Sequence, residues 1–300
     1  MRVFVTGASG FVGSAVVQEL LSAGHQVLGM VRSDSAAEKL AAAGAEVHRG
    51  DLYDLESIKS GATGCDAVIH TAFNHDFTRF KENCETDRQV IGALTSVLAG
   101  TDRPLVVTSG LGLLSGFDRP VTENDNPKAG SDSIPRMASE EAAHAAAALG
   151  VNAYIVRLPP TVHGQGDHGF ISILIGIAKE KGQAAYIGEG NNYWPAVHRL
   201  DAAALYRLIV EKRPALKVLH AAGEEGIPFR EIATAIGNGL QLPVVGKPAD
   251  EAAAHFSWFT HFAGMDCKAP SEQTRSATGW QPHQPTLLPD LEAHYFTAQQ

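Results

Sequence analysis

The chain has 300 residues, of which 44% are hydrophobic and 19% are charged, and its formal net charge is −9 at pH 7. This length allows a large core, and the composition is that of an ordinary globular protein. A negative charge without any basic run argues against nucleic acid or an anionic membrane as a partner. No apolar run is long enough to span a membrane. Because residue 2 already opens a strand, we expect no signal peptide.

The first thirteen residues predict a strand, a glycine turn and a helix in the order that a dinucleotide site needs. Val3–Val5 form an apolar run, and an apolar-periodic helix starts at Phe11. Around this junction Gly7, Gly10 and Gly13 recur at three-residue spacing. Gly7 would allow the tight turn, Gly10 the close approach of a phosphate, and Gly13 the close packing of helix on strand. The unpaired N–H groups at the helix start would hold a pyrophosphate. The alternative is a plain glycine turn.

Strand and helix patterns alternate through residue 158. The predicted strands are Val3–Val5, Gln26–Val31, Glu46–His48, Ala67–His70, Leu105–Thr108 and Ala153–Leu158. The predicted helices between them are Phe11–Ala23, Ala36–Ala43, Leu55–Gly61, Arg79–Ala99 and Arg136–Leu149. Parallel strands need such crossovers, and these runs are too uniformly apolar for a half-exposed sheet. We therefore predict an α/β fold with a doubly wound parallel sheet of the Rossmann type, forming a dinucleotide-binding domain of residues 1–158.

The pattern changes after residue 158, where a loop rich in proline and glycine begins. Predicted helices follow at Phe170–Lys181, Ala202–Glu211, Phe229–Ile236 and Ala249–Phe259, and predicted strands at Ala185–Ile187 and Lys217–Ala221. We expect residues 159–300 to form a smaller substrate-side α/β part, interleaved with the first and able to return partly to its sheet. The cleft between the two parts is the expected binding site.

The end of the second predicted strand bears on the choice of cofactor. An NAD-selective site carries an acidic residue about 20 residues past the glycines, where it holds the ribose hydroxyls. Here Val31 occupies that position and is followed by Arg32 and Ser33. A guanidinium and a hydroxyl can pair with a 2′-phosphate. The sequence therefore predicts NADP(H) over NAD(H). Asp34 nearby weighs against it, and the alternative is that Arg32 is a solvated loop residue.

Other predicted cofactor contacts follow the remaining strand ends. Asp51, in the segment GDLYD, could accept from the adenine amino group or cap the helix that follows. Thr71–Phe73 follow the fourth strand at the carboxyl edge, where a ligand must lie. The full predicted set is Gly7, Ser9, Gly10, Phe11, Val12, Gly13, Arg32, Ser33, Asp51, Leu52, Thr71, Ala72, Phe73, Thr108, Leu158, Pro159, Pro160 and Thr161.

Several of these motifs together resemble the extended short-chain dehydrogenase/reductase family. They are TGASGFVG, GDLYD, HTAF after the fourth strand, VVTSG at the fifth, RLPPTVHG after the sixth, VHRLDAA further on and TRSATGW near the end. The resemblance covers nearly the whole chain. It implies a Rossmann enzyme that reduces, epimerises or dehydrates a small carbonyl-containing substrate. It also implies a homodimer through the helices 136–149 and 79–99.

The catalytic signature that the resemblance implies is missing. In that family it is Tyr-x-x-x-Lys on the helix after the fifth strand, where the tyrosine transfers the proton and the lysine lowers its pKa. Residues 105–151 contain no tyrosine, and their only lysine is Lys128. One alignment puts Arg136 at the tyrosine position and Glu140 at the lysine position, and another puts Asp132 and Arg136 there. In both alignments Arg136 lies in the active site.

Three residues are candidates for the chemistry. Arg136 stays charged at any working pH and is a poor general acid, but it can stabilise a developing oxyanion. Alternatively, it pairs with Asp132 or Glu140. Ser109 ends the fifth strand and could hydrogen-bond a substrate oxygen, or it could be a simple turn former. His163 stands where relatives often carry tyrosine and could supply the missing proton near neutral pH, or it could be a structural group.

Three further residues are expected to border the substrate. His75 lies in a loop over the cleft. Asn191 and Trp194 belong to a polar and aromatic segment that borders the substrate in the extended family. The alternative for Trp194 is packing into the second part of the chain.

Cysteines and metal ligands give little further chemistry. Cys65, Cys84 and Cys267 lie far apart and in no spacing typical of a metal site. They predict reduced, mostly buried thiols, as in a cytoplasmic protein. The histidines also lack metal-ligand spacing, so we expect no metal.

The residues and the resemblance together favour an atypical NADP(H)-dependent oxidoreductase that acts on a small carbonyl or conjugated substrate. Loss of the Tyr-x-x-x-Lys signature leaves open a non-catalytic NADP(H) sensor of the NmrA-like kind. An epimerase or isomerase that uses the cofactor transiently is the other alternative.

Overall fold

The computed structural model describes residues 1–296. Its strands, in chain order, are β1 (Arg2–Thr6), β2 (Gln26–Val31), β3 (Glu46–Arg49), β4 (Ala67–His70), β5 (Pro104–Gly110), β6 (Asn152–Leu158), β7 (Thr161–His163), β8 (Ala184–Ile187), β9 (Tyr193–His198), β10 (Val218–His220), β11 (Glu224–Pro228) and β12 (Val244–Lys247). Its α-helices are α1 (Phe11–Ser22), α2 (Asp34–Ala42), α3 (Leu55–Ala62), α4 (Phe80–Leu98), α5 (Met137–Ala148), α6 (Phe170–Lys181), α7 (Arg199–Lys212), α8 (Phe229–Leu240), α9 (Ala252–Phe256), α10 (Thr260–Ala263), α11 (Glu272–Thr278) and α12 (Leu287–His294). Short 3-10 turns occupy Phe77–Arg79, Leu111–Leu114 and Ser257–Phe259.

Seven strands form one parallel sheet in the order β10-β6-β5-β4-β1-β2-β3. Two pairs of residues illustrate the register. Val3 of β1 lies opposite Val27 of β2, and Leu219 of β10 lies opposite Val156 of β6. The strand order reverses between β1 and β4, so the carboxyl ends of these strands border a crevice where folds of this class bind ligands. The predicted doubly wound Rossmann sheet is confirmed.

The residues of β1 show why helices cover both faces of this sheet. Val3 and Val5 pack into a core formed with α1 and α7, whereas Phe4 packs into a second core formed with α4 and α5. All three side chains are fully buried. Because side chains alternate along a strand, apolar residues at consecutive positions require cover on both sides. The packed helices hold the carboxyl edge of the sheet in place.

The smaller part of the molecule carries its own sheets and core. β7, β9 and β11 form a three-stranded sheet, and β8 pairs with β12. Trp194 and Phe229 lie in a third core with side chains of α6 and α8. The chain also returns to the large sheet, since β10 pairs with β6 and α7 packs on α1. A division at residue 158 remains a prediction.

The elements after residue 158 differ in part from those predicted. The predicted loop after that residue contains β7, and the segment around Trp194 forms β9. The helix predicted over Ala249–Phe259 is divided, because α9 ends at Phe256 and Ser257 has a φ of +52°. Such a backbone conformation ends a regular helix. The chain then continues through a 3-10 turn into α10.

The cysteines and the helix lengths complete this description. Cys65, Cys84 and Cys267 are buried, and none forms a disulfide within residues 1–296. None of the helices in the described residues combines the length and the apolarity that a membrane crossing requires.

Candidate functional site

The glycine turn joins β1 to α1 at the carboxyl edge of the sheet. Gly7 has a φ of +68°, a conformation that side chains disfavour. A Cβ atom on Gly7 would lie 2.7 Å from the backbone nitrogen of Ala72, and one on Gly13 would lie 2.0 Å from the carbonyl oxygen of Gly7. In the described structure no side chain caps the start of α1 at Gly10. The turn therefore packs closely against the segment after β4, and the uncapped backbone N–H groups at the start of α1 form a cradle that suits a diphosphate.

The other predicted residues of this turn lie around the cradle. Ser9 is exposed, and Phe11 and Val12 are half-buried at the start of α1. The guanidinium of Arg199 lies 5.1 Å from the centre of the Phe11 ring. A cation therefore stands beside the helix start that would hold the diphosphate.

The end of β2 carries the predicted selectivity residues. The Arg32 side chain is 74% exposed, and its Nη1 lies 3.8 Å from Oδ2 of Asp51. Ser33 caps α2 by accepting a hydrogen bond from the backbone nitrogen of Ala36. Asp34, the acidic neighbour that would repel a 2′-phosphate, pairs with Arg49 from the end of β3. The charge of Asp34 is thereby balanced, and Arg32, although close to Asp51, is exposed enough to reach a ligand.

The GDLYD segment forms a turn before α3. Asp51 accepts a hydrogen bond from the backbone nitrogen of Tyr53 at 2.9 Å. The cap of α3 is Asp54, which accepts from the backbone nitrogens of the first helical turn. Capping of this helix is the alternative role that the sequence predicts for Asp51, but the residue that caps it is Asp54. Leu52 is half-buried against the core beneath the sheet.

The segments after β4 and β6 lie on opposite sides of β5. After β4, the Thr71 hydroxyl donates to the carbonyl oxygen of Thr6, and the backbone nitrogen of Ala72 donates to the Thr6 hydroxyl. After β6, Leu158 and Pro160 are half-buried and Pro159 is buried. Thr161 is also buried, and its hydroxyl has no hydrogen-bond partner within the described residues. These segments surround the end of β5.

Arg136 points to that end of β5 from the N-terminal boundary of α5. Its Nη1 donates to Oδ2 of Asp87 at 3.0 Å and to the Ser139 hydroxyl, and its Nη2 donates to the carbonyl oxygen of Thr108 at 2.9 Å. The guanidinium lies 4.2 Å from the centre of the Phe73 ring. The side chain is 17% exposed. A fixed, partly accessible cation thus stands where three predicted site segments meet.

A buried network holds the carboxylate that pairs with Arg136. The other oxygen of Asp87 lies 2.9 Å from Nε2 of His70, and Nδ1 of His70 lies 2.7 Å from the Thr6 hydroxyl. Asp87 and His70 are 2% and 1% exposed. Burial opposes ionisation of Asp87, but Arg136 and His70 outweigh it and hold its pKa at about 2. Asp87 is therefore a permanent anion that anchors Arg136.

Thr108 links this network to α7. Its hydroxyl donates to the carbonyl oxygen of His70 at 2.8 Å and lies 2.7 Å from the Tyr206 hydroxyl. Burial raises the pKa of Tyr206, so the phenol stays neutral and donates to Thr108. The end of β5 is thereby held from both faces of the sheet.

Ser109 and Glu140 belong to a separate buried cluster. Glu140 accepts from Nε and Nη2 of Arg157 at 2.9 and 2.8 Å, and it accepts from the Ser109 hydroxyl at 2.7 Å. Arg157 and Glu140 are fully buried. Burial raises the pKa of Glu140, but the hydrogen bonds and charge of Arg157 outweigh this and lower it. The Ser109 hydrogen is committed to Glu140, so its predicted contact with a substrate oxygen remains a prediction that would need rearrangement.

His163 lies in a buried pair next to β9. Its Nδ1 lies 2.7 Å from Oδ2 of Asp290, its ring is 1% exposed, and its Nε2 has no partner within residues 1–296. Burial lowers the pKa of His163 more than Asp290 raises it, so the ring is neutral at pH 7. With Nδ1 donating to Asp290, Nε2 is an acceptor. The predicted role of proton source stays a prediction, and this environment favours proton acceptance.

The predicted substrate residues lie in different environments. His75 is exposed on the loop after β4, and its ring centre lies 5.1 Å from that of Phe73. Asn191 is exposed before β9. Trp194 is fully buried, with its ring centre 4.9 Å from that of Phe229. The geometry therefore favours the packing alternative for Trp194.

Aromatic rings connect the segment after β4 with the C-terminal part of the chain. Phe77, after β4, lies 5.1 Å from Trp258 and 5.6 Å from Phe262, measured between ring centres. Phe77 also stacks on Phe80 at 5.5 Å, and Phe80 lies 6.1 Å from Phe73. A continuous series of ring contacts therefore leads from Arg136 to the C-terminal part of the chain.

Comparison with known proteins places this site in a family. A model of the NAD dependent epimerase/dehydratase family matches residues 3–221. The chain belongs to this family. An uncharacterized protein of Schizosaccharomyces pombe is 49% identical over 292 residues, which cover 97% of this chain and 98% of that protein. A 4-hydroxy-2-methyl-3-oxo-4-farnesyl-3,4-dihydroquinoline-1-oxide ketoreductase of Stigmatella aurantiaca is 28% identical over 274 residues, covering 85% and 79%.

A solved structure agrees at the level of the fold. The dTDP-glucose 4,6-dehydratase of Streptomyces venezuelae, solved with NAD bound, has a TM-score of 0.78 and 19% identity, covering 98% of this chain and 95% of that one. The predicted resemblance to extended short-chain dehydrogenases/reductases is confirmed. The range matched by the epimerase/dehydratase family includes the glycine turn, Arg136 and His163, and it ends before Trp258 and Phe262.

Within this epimerase/dehydratase family member, several residues at the site lie outside the predicted set. Asp87, Tyr206 and Phe77 are the main ones. The sequence did contain a signal that Asp87 is buried. It lies three residues after Cys84 and four before Ile91, and both of these are buried on the same face of α4. A charged residue on an apolar helix face needs a partner. No group of three or more His, Cys, Asp or Glu side chains within residues 1–296 is arranged to hold a metal ion.

Proposed function

We propose that this protein is an NADP(H)-dependent oxidoreductase that reduces a small carbonyl or conjugated substrate. The observation that carries the proposal is the fixed guanidinium of Arg136 at the end of β5. Three of its hydrogen bonds go to Asp87, Ser139 and Thr108. A guanidinium has five N–H donors, so two remain for a ligand. The ketoreductase relative is consistent with this reaction class.

The residues of the glycine turn would hold the cofactor. The N–H groups of α1 suit the diphosphate, with Ser9, Phe11 and Val12 around it. Arg32 and Ser33 would face the 2′-phosphate, and balance of the Asp34 charge by Arg49 supports this preference. The remaining proposed contacts, at the adenine and nicotinamide ends, are Asp51, Leu52, Thr71, Ala72, Phe73, Thr108, Leu158, Pro159, Pro160 and Thr161.

NADPH, when bound, would supply a hydride to the substrate carbon. Arg136 would bind the substrate oxygen and stabilise the negative charge that develops on it. Since Arg136 does not release a proton at working pH, the proton would come from water. Asp87 keeps the guanidinium oriented and Phe73 covers one of its faces. His163 is proposed as a second group in proton transfer, and Ser109 as a support for β5 through Glu140.

One observation favours a second candidate, a non-catalytic NADP(H) sensor. The Tyr-x-x-x-Lys signature is absent from residues 105–151. Such a protein would bind the cofactor and fail to oxidise it with any carbonyl compound.

For the oxidoreductase we also propose a cytoplasmic location and a homodimer through α4 and α5, where Leu149 is 68% exposed at the end of α5. Sedimentation of the purified chain tests the dimer.

A thermal-shift series with NADP⁺, NADPH, NAD⁺ and NADH tests the cofactor. A ligand that binds only the folded chain stabilises it by RT ln(1 + [L]/Kd), so a site with preference for the phosphate shows a larger shift with NADPH than with NADH. NADPH consumption with a panel of aldehydes, ketones and enones then tests the reaction. Equal shifts for NADH and NADPH would refute the role of Arg32, and binding without turnover would favour the sensor.

A further inference from the structure

Six aromatic side chains form a surface that extends from Arg136 to the C-terminal part of the chain. We call this set the aromatic wall; its members are Phe73, Phe77, Phe80, Phe170, Phe262 and Trp258. They come from three separate parts of the chain: the segment after β4, the start of α6 and the region around α10. The contacts of Phe77 with the other two parts bring all six rings together.

The aromatic wall is not an ordinary core. Its members remain partly exposed, and Trp258 is 54% exposed. Adjacent rings that belong to the core, such as Phe259 and Trp194, are fully buried. Exposed aromatic area is unfavourable in water, and a connected patch of it in a soluble domain marks a binding surface. The wall is continuous with Arg136 through Phe73, so the ligand of this surface also reaches the guanidinium.

The charge at the head of the wall limits the ligand further. Arg136 is paired with Asp87, whose pKa is held at about 2, so the pair has no net charge at working pH. A carboxylate or phosphate on the ligand would bring a full negative charge close to Asp87 as it binds and would gain little, whereas charge on a carbonyl oxygen develops only during the reaction, at the free N–H donors of Arg136. A neutral oxygen can use the free N–H donors without this repulsion.

We propose that the substrate is a neutral carbonyl compound with an aromatic or similarly flat apolar body, a statement that rests on the oxidoreductase function proposed above. Its carbonyl oxygen binds Arg136 beside Phe73, and its apolar body lies along the wall toward Phe77, Phe262 and Trp258. The ring contacts select for the body of the substrate, and the Arg136–Asp87 pair selects against a substrate that already carries a negative charge when it binds.

Steady-state reduction by NADPH tests both selections. The substrates are benzaldehyde, 2-carboxybenzaldehyde, whose carboxylate lies next to the carbonyl group, and butanal. We expect kcat/KM for benzaldehyde to exceed that for each of the others about tenfold or more, since a ring contact and an unfavourable charge each change binding on this scale. Phe77→Leu lowers the preference for benzaldehyde over butanal about tenfold. The matched control Tyr186→Leu, a half-buried ring of β8 outside the wall, leaves this ratio unchanged.

A binding measurement separates this inference from the proposed reaction. Trp194 and Trp280 are fully buried, so Trp258 is the tryptophan that reports a ligand at the wall. Benzamide, a neutral aromatic amide, is expected to change the fluorescence of the wild-type chain, and Trp258→Phe abolishes the change. Benzoate, its charged analogue, binds at least tenfold more weakly. If no carbonyl compound oxidises NADPH, the oxidoreductase proposal fails. The titration still shows whether the aromatic wall binds a neutral aromatic ligand. Equal binding of benzoate and benzamide, or equal kcat/KM for the three aldehydes, overturns the inference.

Discussion

Replacing Asp87 by asparagine tests whether the anchor of Arg136 is electrostatic. The pKa of Asp87 is about 2, against an ordinary value of 3.8, because Arg136 and His70 outweigh burial. This difference corresponds to about 2 kcal/mol of folding free energy at neutral pH. Asp87→Asn keeps the shape and removes the charge. For 300 residues the entropy of unfolding is about 0.6 kcal/mol/K, so we expect the melting temperature at pH 7 to fall by roughly 3 °C.

The stabilisation that the Asp87 charge provides depends on pH in a direction that follows from its lowered pKa. A carboxyl group whose pKa is lower in the folded chain stabilises it fully above the unfolded pKa of about 4. That stabilisation is lost as the pH falls toward the folded pKa of about 2. The difference in melting temperature between wild type and Asp87→Asn should therefore be constant from pH 7 to 5 and narrow from pH 4 to 2.

A surface pair provides the matched control. Asp34 pairs with Arg49, but its side chain is 92% exposed. Exposed pairs contribute about 0–1 kcal/mol, so Asp34→Asn should change the melting temperature far less than Asp87→Asn. Calorimetry or dye-based melting of the three proteins across the pH range is sufficient. Equal losses for the two variants, or a loss for Asp87→Asn that does not change between pH 5 and 2, would refute the reasoning.

Three further substitutions follow from the site. Arg136→Ala should reduce kcat about 100-fold while the Kd for NADPH, measured by cofactor fluorescence, stays within about twofold; unchanged turnover would remove Arg136 from the chemistry. Arg32→Ala should raise the Kd for NADPH about tenfold and leave that for NADH unchanged, because only the 2′-phosphate contact is lost. An equal rise for both cofactors would contradict this. Glu140→Gln should lower the free energy of unfolding by about 3–5 kcal/mol, since it leaves Arg157 buried without its counter-ion; a melting curve like that of wild type would show that Arg157 finds another partner.

Features that depend on neighbouring residues could be predicted from the sequence. The glycine turn and its helix lie within residues 2–22, and the constraints on Gly7 and Gly13 come from atoms of that same segment and of the segment directly after β4. The repeated strand and helix patterns likewise predicted the parallel sheet, because each strand of such a sheet must be apolar on both faces. Local chemistry and the fold class were therefore accessible.

Features that depend on pairs of residues far apart in the sequence could not be predicted. The sequence suggests Asp132 or Glu140, its neighbours in the chain, as the partner of Arg136, but in the structure Arg136 pairs with Asp87 on α4. Glu140 instead pairs with Arg157 of β6. The packing of α4 against α5 decides which acidic residue faces Arg136. The sequence pattern does not specify how these two helices are aligned. The aromatic wall was inaccessible for the same reason, since Phe77 and Trp258 meet only through the tertiary fold.

The first turn of α5 decides how catalysis depends on pH. Arg136 and Ser139 bind Asp87, while Glu140 binds Arg157, so each polar group there is committed to a charge pair. Arginine keeps its proton at any working pH, and the pKa of Asp87 is about 2. If water supplies the proton, kcat should be constant between about pH 6 and 9, because none of these groups titrates in that range.

The same profile tests the alternative source of the proton. Burial lowers the pKa of His163, so a role for its protonated form would make kcat rise as the pH falls below the ordinary pKa of histidine, 6.5. His163→Gln keeps a polar side chain at this position and should leave a flat profile unchanged. A rate that increases at acid pH in wild type, and that becomes flat in His163→Gln, would contradict proton supply by water and assign that step to His163.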